Sequence, residues 1–270
     1  MATYDFSGKT LLITGASGGI GAAFARQLAP TAKALVLVAR SGDKLQALAQ
    51  QLGPHVHAVA LDLGKKDASA ALVRAVTERG LSIDVLVNNA GYGSSGAFAS
   101  DDIDKLTGSI DLNVTALVEL THAFLPQIIE RKGGVLNVAS TVSFGPMPYM
   151  AIYGATKAFV LSFSEALAVE LAPSGARVSA LCPGATETGF FERAGEVNTV
   201  GAIATPDDVA ALGLRAFARG KTAVVHGWQN KLLALFMGLA PRAFVARMAG
   251  RTLAPKAPAA TSKSARTLAA

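Results

Sequence analysis

The sequence predicts an α/β fold, a parallel sheet covered on both faces by helices. Three observations predict it. Short unbroken apolar runs such as LLIT and ALVLVA alternate with amphipathic stretches along the chain, and strands buried on both faces need such runs. The first run leads directly into a glycine-rich turn, GASGGIG, and then into a helical stretch, AAFARQLA. Hydrophobic residues make up 51% and charged residues 16% of the 270, which is enough apolar material for one sizeable core and a single main domain.

The elements follow in order. A strand over 9–14 (KTLLIT) enters the turn, where Gly15, Gly19 and Gly21 let backbone N–H groups approach a ligand and the next helix offers its amino-terminal dipole to a pyrophosphate. Strand–glycine turn–helix is the pattern of a dinucleotide site, although the G-x-x-x-G-x-G spacing departs from G-x-G-x-x-G. A second strand, 34–39, ends at Arg40. An acid at this point would bind ribose hydroxyls, whereas an arginine accommodates a 2′-phosphate, so Arg40 favours NADP over NAD. Asp43, the nearest carboxylate, falls at the start of the next helix, where it helps cap it.

The third strand, 57–61, ends at Asp62, placed to accept from an adenine amino group. A fourth, 83–87, runs into Asn88-Asn89-Ala90-Gly91, where small residues let a cofactor lie on backbone and the asparagines can brace neighbouring strands. Asn113 is a polar residue in an otherwise apolar helix. After a fifth strand, 135–139, comes Ser140, and then a helix over 151–171, stopped by Pro173 and Gly175. Tyr153 and Lys157 lie four apart on that helix and share a face. A free tyrosine, with a pKa of about 10, is a poor acid–base catalyst near neutrality; an adjacent ammonium is expected to lower that value and fit Tyr153 for proton exchange with a carbonyl or alcohol oxygen. Ser140, at a strand end facing the helix, would hold the same oxygen. A sixth strand, 177–181, ends in Cys182-Pro183-Gly184, a long loop carrying Phe190 and Phe191 follows as an expected lid, and a last strand spans 222–225.

Four motifs, in order and at family-like spacing, make residues 7–228 resemble the short-chain dehydrogenase/reductase family. They are Thr14-Gly15-Ala16-Ser17-Gly18-Gly19-Ile20-Gly21, Asn88-Asn89-Ala90-Gly91, the tetrad Asn113, Ser140, Tyr153 and Lys157, and Pro183-Gly184 with Thr188. The resemblance implies one Rossmann-like, doubly wound domain with seven parallel strands, often in homodimers or homotetramers. It implies Tyr153 as general acid or base and Lys157 as the group that lowers its pKa and holds the nicotinamide ribose. Ser140 would orient the substrate oxygen, Asn113 would hold a water relaying protons from Lys157, and Thr188 would hold the carboxamide. The cofactor site would draw on Gly15, Ser17, Gly19, Ile20, Gly21, Arg40, Asp62, Leu63, Asn89, Ala90, Gly91, Pro183 and Gly184 as well. Where many NADP-using relatives carry a basic residue within the glycine turn this chain has Gly18, so NADP rests on Arg40.

The carboxyl end departs from the family's short close. Residues 229–253 read as two helical pieces broken before Pro241, with Leu232, Leu235, Phe236 and Leu239 on one face, an extension packed on the catalytic domain of residues 1–228. The apolar run of 232–240 is too short to span a bilayer. Residues 254–270, rich in Ala, Pro and Ser without periodicity, read as a flexible basic tail. After Asp208 there are ten Lys and Arg and no Asp or Glu, while the first 208 residues carry 15 basic and 19 acidic residues, net −4. Packing over the cleft or at a subunit interface is the favoured reading of the extension; lying on an anionic membrane and docking an acidic protein are the alternatives.

Other classes find no support. The single Cys182 forms no internal disulfide or cysteine metal cluster, the four histidines lack metal-ligand spacing, and nothing suggests nucleic-acid binding. The start, MATYDFSGKTLLITG, shows no secretory pattern, and cytoplasmic placement is the expectation. The chain reads as an NADPH-dependent reductase of an apolar ketone or aldehyde, or equivalently an alcohol dehydrogenase, with Phe144, Met147, Tyr149, Met150, Phe190 and Phe191 around the cleft. A 3-oxoacyl thioester reductase and an NADP-binding redox sensor without turnover are the alternatives.

Overall fold

The computed structural model describes residues 3–188 and 203–254. Seven parallel strands form one sheet in the order β3-β2-β1-β4-β5-β6-β7. They are β1 (Thr10–Thr14), β2 (Ala34–Ala39), β3 (Val56–Ala60), β4 (Val85–Asn88), β5 (Gly134–Val138), β6 (Arg177–Cys182) and β7 (Ala223–Val225). Strand order reverses between β1 and β4, and ligands of open α/β sheets bind at the carboxyl ends of strands beside such a reversal. The turns after β1 and β4, which carry the glycine and asparagine motifs, meet at that point.

Side-chain alternation along each strand divides the core between the two faces. Leu11 and Ile13 of β1 pack with Leu35 and Leu37 of β2 under α1 (Gly19–Leu28), α2 (Gly42–Leu52) and α7 (Pro206–Ala218), whose Phe24, Leu45 and Phe217 are fully buried. Leu12 of β1, Val36 and Val38 of β2 and Leu86 of β4 face the other way, against α3 (Ala68–Glu78), α5 (Ala116–Glu130) and α6 (Ala151–Leu171). Before α5 runs α4 (Ile103–Ile110), continuous with it through a π turn at Asp111–Thr115. The strands are thus close to their expected places. β3 is shifted one residue early, its Val56 pairing with Leu35 of β2 and its end falling at Ala60, and β4 starts later, at Val85. α6 has the expected bounds, and Gly175 terminates the segment with a φ of 80°.

The carboxyl extension forms two helices, α8 (Trp228–Leu239) and α9 (Arg242–Leu253), with Pro241 at the break. The face that packs is not the expected one. Ala234, Met237 and Val245 are buried, whereas Leu232, Leu235, Phe236 and Leu239 are 57%, 60%, 42% and 79% exposed. A Cβ placed on Gly145 would come within 3.0 Å of Val245 and 3.2 Å of the Met237 sulfur, so the extension is seated closely on the segment between Ser140 and Tyr153.

Candidate active site

The site is a cleft of about 1020 Å³ along the carboxyl ends of the strands. One end is built by the glycine turn. Gly15, at φ 67°, passes so close to the β4 turn that a Cβ would lie 2.8 Å from Ala90 Cα, and Gly19, at φ 53°, approaches Thr188 to the same distance. Gly21 does not line the cleft, contrary to its expected place in the cofactor site. Its missing Cβ would sit 2.3 Å from the Gly15 carbonyl oxygen, so this glycine lets α1 approach the turn. The amino terminus of α1 has no side-chain cap, which leaves its first-turn N–H groups facing the cleft.

Hydrogen bonds fasten the two motifs together. The Thr14 hydroxyl accepts from the N–H groups of Asn89 (3.0 Å) and Ala90 (2.9 Å), and the Asn89 amide donates to the carbonyls of Thr14 (2.9 Å) and Gly15 (3.2 Å). Asn88 donates to Asn137 Oδ1 at 2.9 Å on the adjacent strand and to the Thr121 hydroxyl at 3.1 Å, the bracing expected of it. Ser17, Ile20, Asp62, Leu63, Gly91, Pro183 and Gly184 also line the cleft, and Asp62 Oδ1 accepts from the Gly64 N–H at 3.1 Å. Arg40 lines the cleft beside Ser41 and Lys44, while Asp43 is not part of its wall.

Ser140, Tyr153 and Lys157 come together at the centre, all buried. The Ser140 hydroxyl hydrogen-bonds the Tyr153 oxygen and also accepts from the Val142 N–H at 3.3 Å, opening a short 3-10 turn, Thr141–Phe144. Lys157 Nζ donates to the Val138 carbonyl at 2.7 Å and lies 5.9 Å from the centroid of the Tyr153 ring. Burial pushes Tyr153 up from 10.0 to about 12, and the Ser140 hydrogen bond only partly opposes it. Burial likewise pulls Lys157 down from 10.5 to about 8. The expectation that Lys157 lowers the tyrosine is therefore corrected. Burial of the phenol outweighs the Ser140 hydrogen bond that opposes it.

Asn113 sits in the π turn, a distortion frequent at functional sites. Its side chain is engaged by protein, donating to the Tyr92 carbonyl at 2.8 Å and the Thr156 hydroxyl at 3.0 Å and accepting from the Tyr92 N–H at 3.0 Å. It thus clamps the strand end that carries Gly91, where a Cβ would come 2.9 Å from Asn113 Oδ1 and 3.3 Å from Lys157 Nζ. That side chain thereby positions the backbone beside Lys157.

The far wall is apolar. Met147 and Met150 line it as expected, but Phe144 packs into the core beside β6, Tyr149 faces a separate shallow groove, and Phe190 and Phe191 lie outside the described residues. Leu233, Met237, Val245, Met248 and Leu253 of the carboxyl extension line it as well.

The cradle of close-approaching glycines, uncapped helix terminus and flanking Arg40 fits a dinucleotide. A family model described as short chain dehydrogenase matches residues 9–198. The chain belongs to the short-chain dehydrogenase family. Among curated relatives of this short-chain dehydrogenase, the ketoacyl reductase HetN of Nostoc sp. is 32% identical over 81% of the chain and 78% of its own length. Of solved structures, a short-chain dehydrogenase from Sphingobium yanoikuyae in complex with NADPH aligns at TM-score 0.76 and 38% identity, covering 84% of this chain and 92% of its own. A 3-ketoacyl-(acyl-carrier-protein) reductase from Brucella melitensis complexed with NADH aligns at 0.73 and 32%, covering 82% and 98%.

Several residues of this dehydrogenase escape the motifs. Lys44 had a signal in being a second cation close after Arg40. Gly93 allows closer contact, since a Cβ there would fall 2.6 Å from the Tyr153 ring. Asn230 of α8, bonded to the His226 carbonyl at 2.8 Å, presses on Gly184, and no sequence pattern pointed to it.

Proposed function

We propose that this short-chain dehydrogenase reduces an apolar ketone or aldehyde with NADPH. The observation that carries the reading is the juxtaposition of the buried Ser140–Tyr153 pair with an apolar wall built by Met147, Met150 and the carboxyl extension. A bound nicotinamide would supply hydride; the chain's own part is position and proton handling. Ser140 and Tyr153 would hold the carbonyl oxygen, and Tyr153 would give it a proton. A phenol with its pKa near 12 is in the donating form at neutral pH, which suits reduction. Lys157, near 8 and within reach of the cleft, would hold a ribose hydroxyl and replenish that proton.

Arg40, with Ser41 and Lys44, supports NADPH over NADH. Two cations and a hydroxyl line the cleft just after β2, the position at which an arginine accommodates a 2′-phosphate, and Asp43 is not part of its wall. Loss of reduced-nicotinamide absorbance across a panel of apolar ketones, aldehydes, polar sugars and 3-oxoacyl thioesters tests the proposal. Turnover of bulky apolar carbonyls with NADPH is the expected result. A preference for polar sugars, or for 3-oxoacyl thioesters above every free ketone, would replace the substrate class, and equal use of NADH would remove the cofactor assignment.

A further inference from the structure

The carboxyl extension is apolar on two sides, and only one of them faces the cleft. On the other, Trp228, Leu232, Leu235, Phe236 and Leu239 of α8 recur at helical spacing and are 70%, 57%, 60%, 42% and 79% exposed. Phe244 of α9, 54% exposed, continues the stripe: its ring meets that of Phe236 edge to face at 6.4 Å between centroids. The exposed cations Lys231, Arg242, Arg247 and Arg251 stand on the same two helices, and residues 209–270 contain no Asp or Glu. Contiguous exposed apolar surface of this kind marks an interaction site.

We propose that this face docks on an anionic lipid surface. Large aromatic and leucine side chains beside cations on short helices are the composition of an interfacial segment, the apolar groups entering the headgroup boundary and the cations meeting lipid phosphates. Charge selects lipid over a second copy of the chain. A two-fold interface apposes a patch with itself, which would bring these cations together with no carboxylate from either helix to pair them. The inference does not rest on the catalytic reading, because none of the outer residues Trp228, Leu235, Phe236 or Leu239 lines the cleft.

The chain contains one tryptophan, Trp228, which lies on the proposed face and reports on it directly. The full chain is titrated with vesicles of phosphatidylcholine alone and of equal parts phosphatidylcholine and phosphatidylglycerol, reading tryptophan emission and flotation. Emission should move to shorter wavelength and the protein should float with the anionic vesicles, partitioning at least about ten-fold more strongly than onto neutral ones and less at high salt. Leu235→Glu with Leu239→Glu should abolish flotation while NADPH binding persists, and Arg242→Gln with Arg247→Gln should remove the preference for anionic lipid. Failure of the unmodified chain to float with anionic vesicles, or equal partitioning onto both kinds, overturns the proposal whatever the variants do. A dimer that the leucine variant converts to monomer, without lipid binding, would make a second copy the occupant and overturn it too.

Discussion

Replacing Lys157 by methionine is expected to stabilise the protein at neutral pH while removing its activity. Lys157 is buried, and burial drops its pKa from 10.5 to about 8. A lysine whose folded value lies below its unfolded one destabilises the folded state fully below the folded value. That cost shrinks as pH rises from about 8 and is gone above the unfolded value. At about 1.36 kcal/mol per pH unit the cost at pH 7 is roughly 3 kcal/mol. Methionine removes it and fills similar volume, but leaves the Val138 carbonyl without the donor now 2.7 Å away, a loss of about 1–2 kcal/mol. The variant should therefore be roughly 1–2 kcal/mol more stable at pH 7, and the order should reverse roughly between pH 9 and 10. Urea unfolding of both proteins at a series of pH values, without added nucleotide, measures the difference. A variant less stable at pH 7, or a gap that does not change with pH, would refute the reasoning.

Other expectations follow from the same geometry. Tyr153→Phe should lower the rate of carbonyl reduction by about 10²- to 10⁴-fold, with NADPH affinity measured by fluorescence little changed. In the oxidative direction, where a phenolate must accept the proton, the rate should climb through pH 8 to 10 because Tyr153 is pushed up to about 12; a pH-independent oxidation rate would contradict that assignment. Arg40→Ala should weaken NADPH binding by about 10- to 100-fold and leave NADH binding unchanged, with Lys44→Ala acting in the same sense, as titration calorimetry with both nucleotides would show. Gly93→Ala puts a methyl group 2.6 Å from the Tyr153 ring. It should cost about 1–3 kcal/mol in urea unfolding and lower the turnover rate by displacing the phenol.

The fold was legible because strands buried on both faces cannot hide their composition: LLIT and ALVLVA are apolar at every or nearly every position, and the structure buries each residue of both. Site residues attached to strand ends or helical spacing were legible for a similar reason, since i, i+4 spacing alone puts Tyr153 and Lys157 on one face. What spacing does not encode is how much water that face retains. The sign of the Tyr153 shift depends on burial, and a close approach to its ring comes from Gly93, distant in sequence and marked by no motif. The mistaken face of α8 has a related cause. Leu232, Leu235, Phe236 and Leu239 form a good apolar stripe, but so do Leu233, Ala234 and Met237, and periodicity cannot choose between two stripes on one helix.

α6 poses the same ambiguity in a sharper form. Its sequence, AIYGATKAFVLSFSEALAVEL, is apolar over most of its circumference, so hydrophobic burial sets its contact with the sheet and only weakly its rotation. A rotation of one residue would carry Tyr153 and Lys157 away from the cleft. Three buried polar contacts resist it. Asn137 on β5 donates to the Ser164 hydroxyl at 2.9 Å, the Asn113 amide donates to Thr156 at 3.0 Å, and the Ser143 hydroxyl donates to the Lys157 carbonyl at 2.8 Å. Each partner would be left unsatisfied in the interior if α6 turned, at about 1–3 kcal/mol apiece. Asn88 extends this network to β4 and the start of the asparagine turn. The hydrogen bonds that fix the azimuth of the catalytic helix are thereby continuous with those that hold the cofactor side of the cleft, and Ser140, Tyr153 and Gly91 keep one relative placement without relying on apolar packing to specify it.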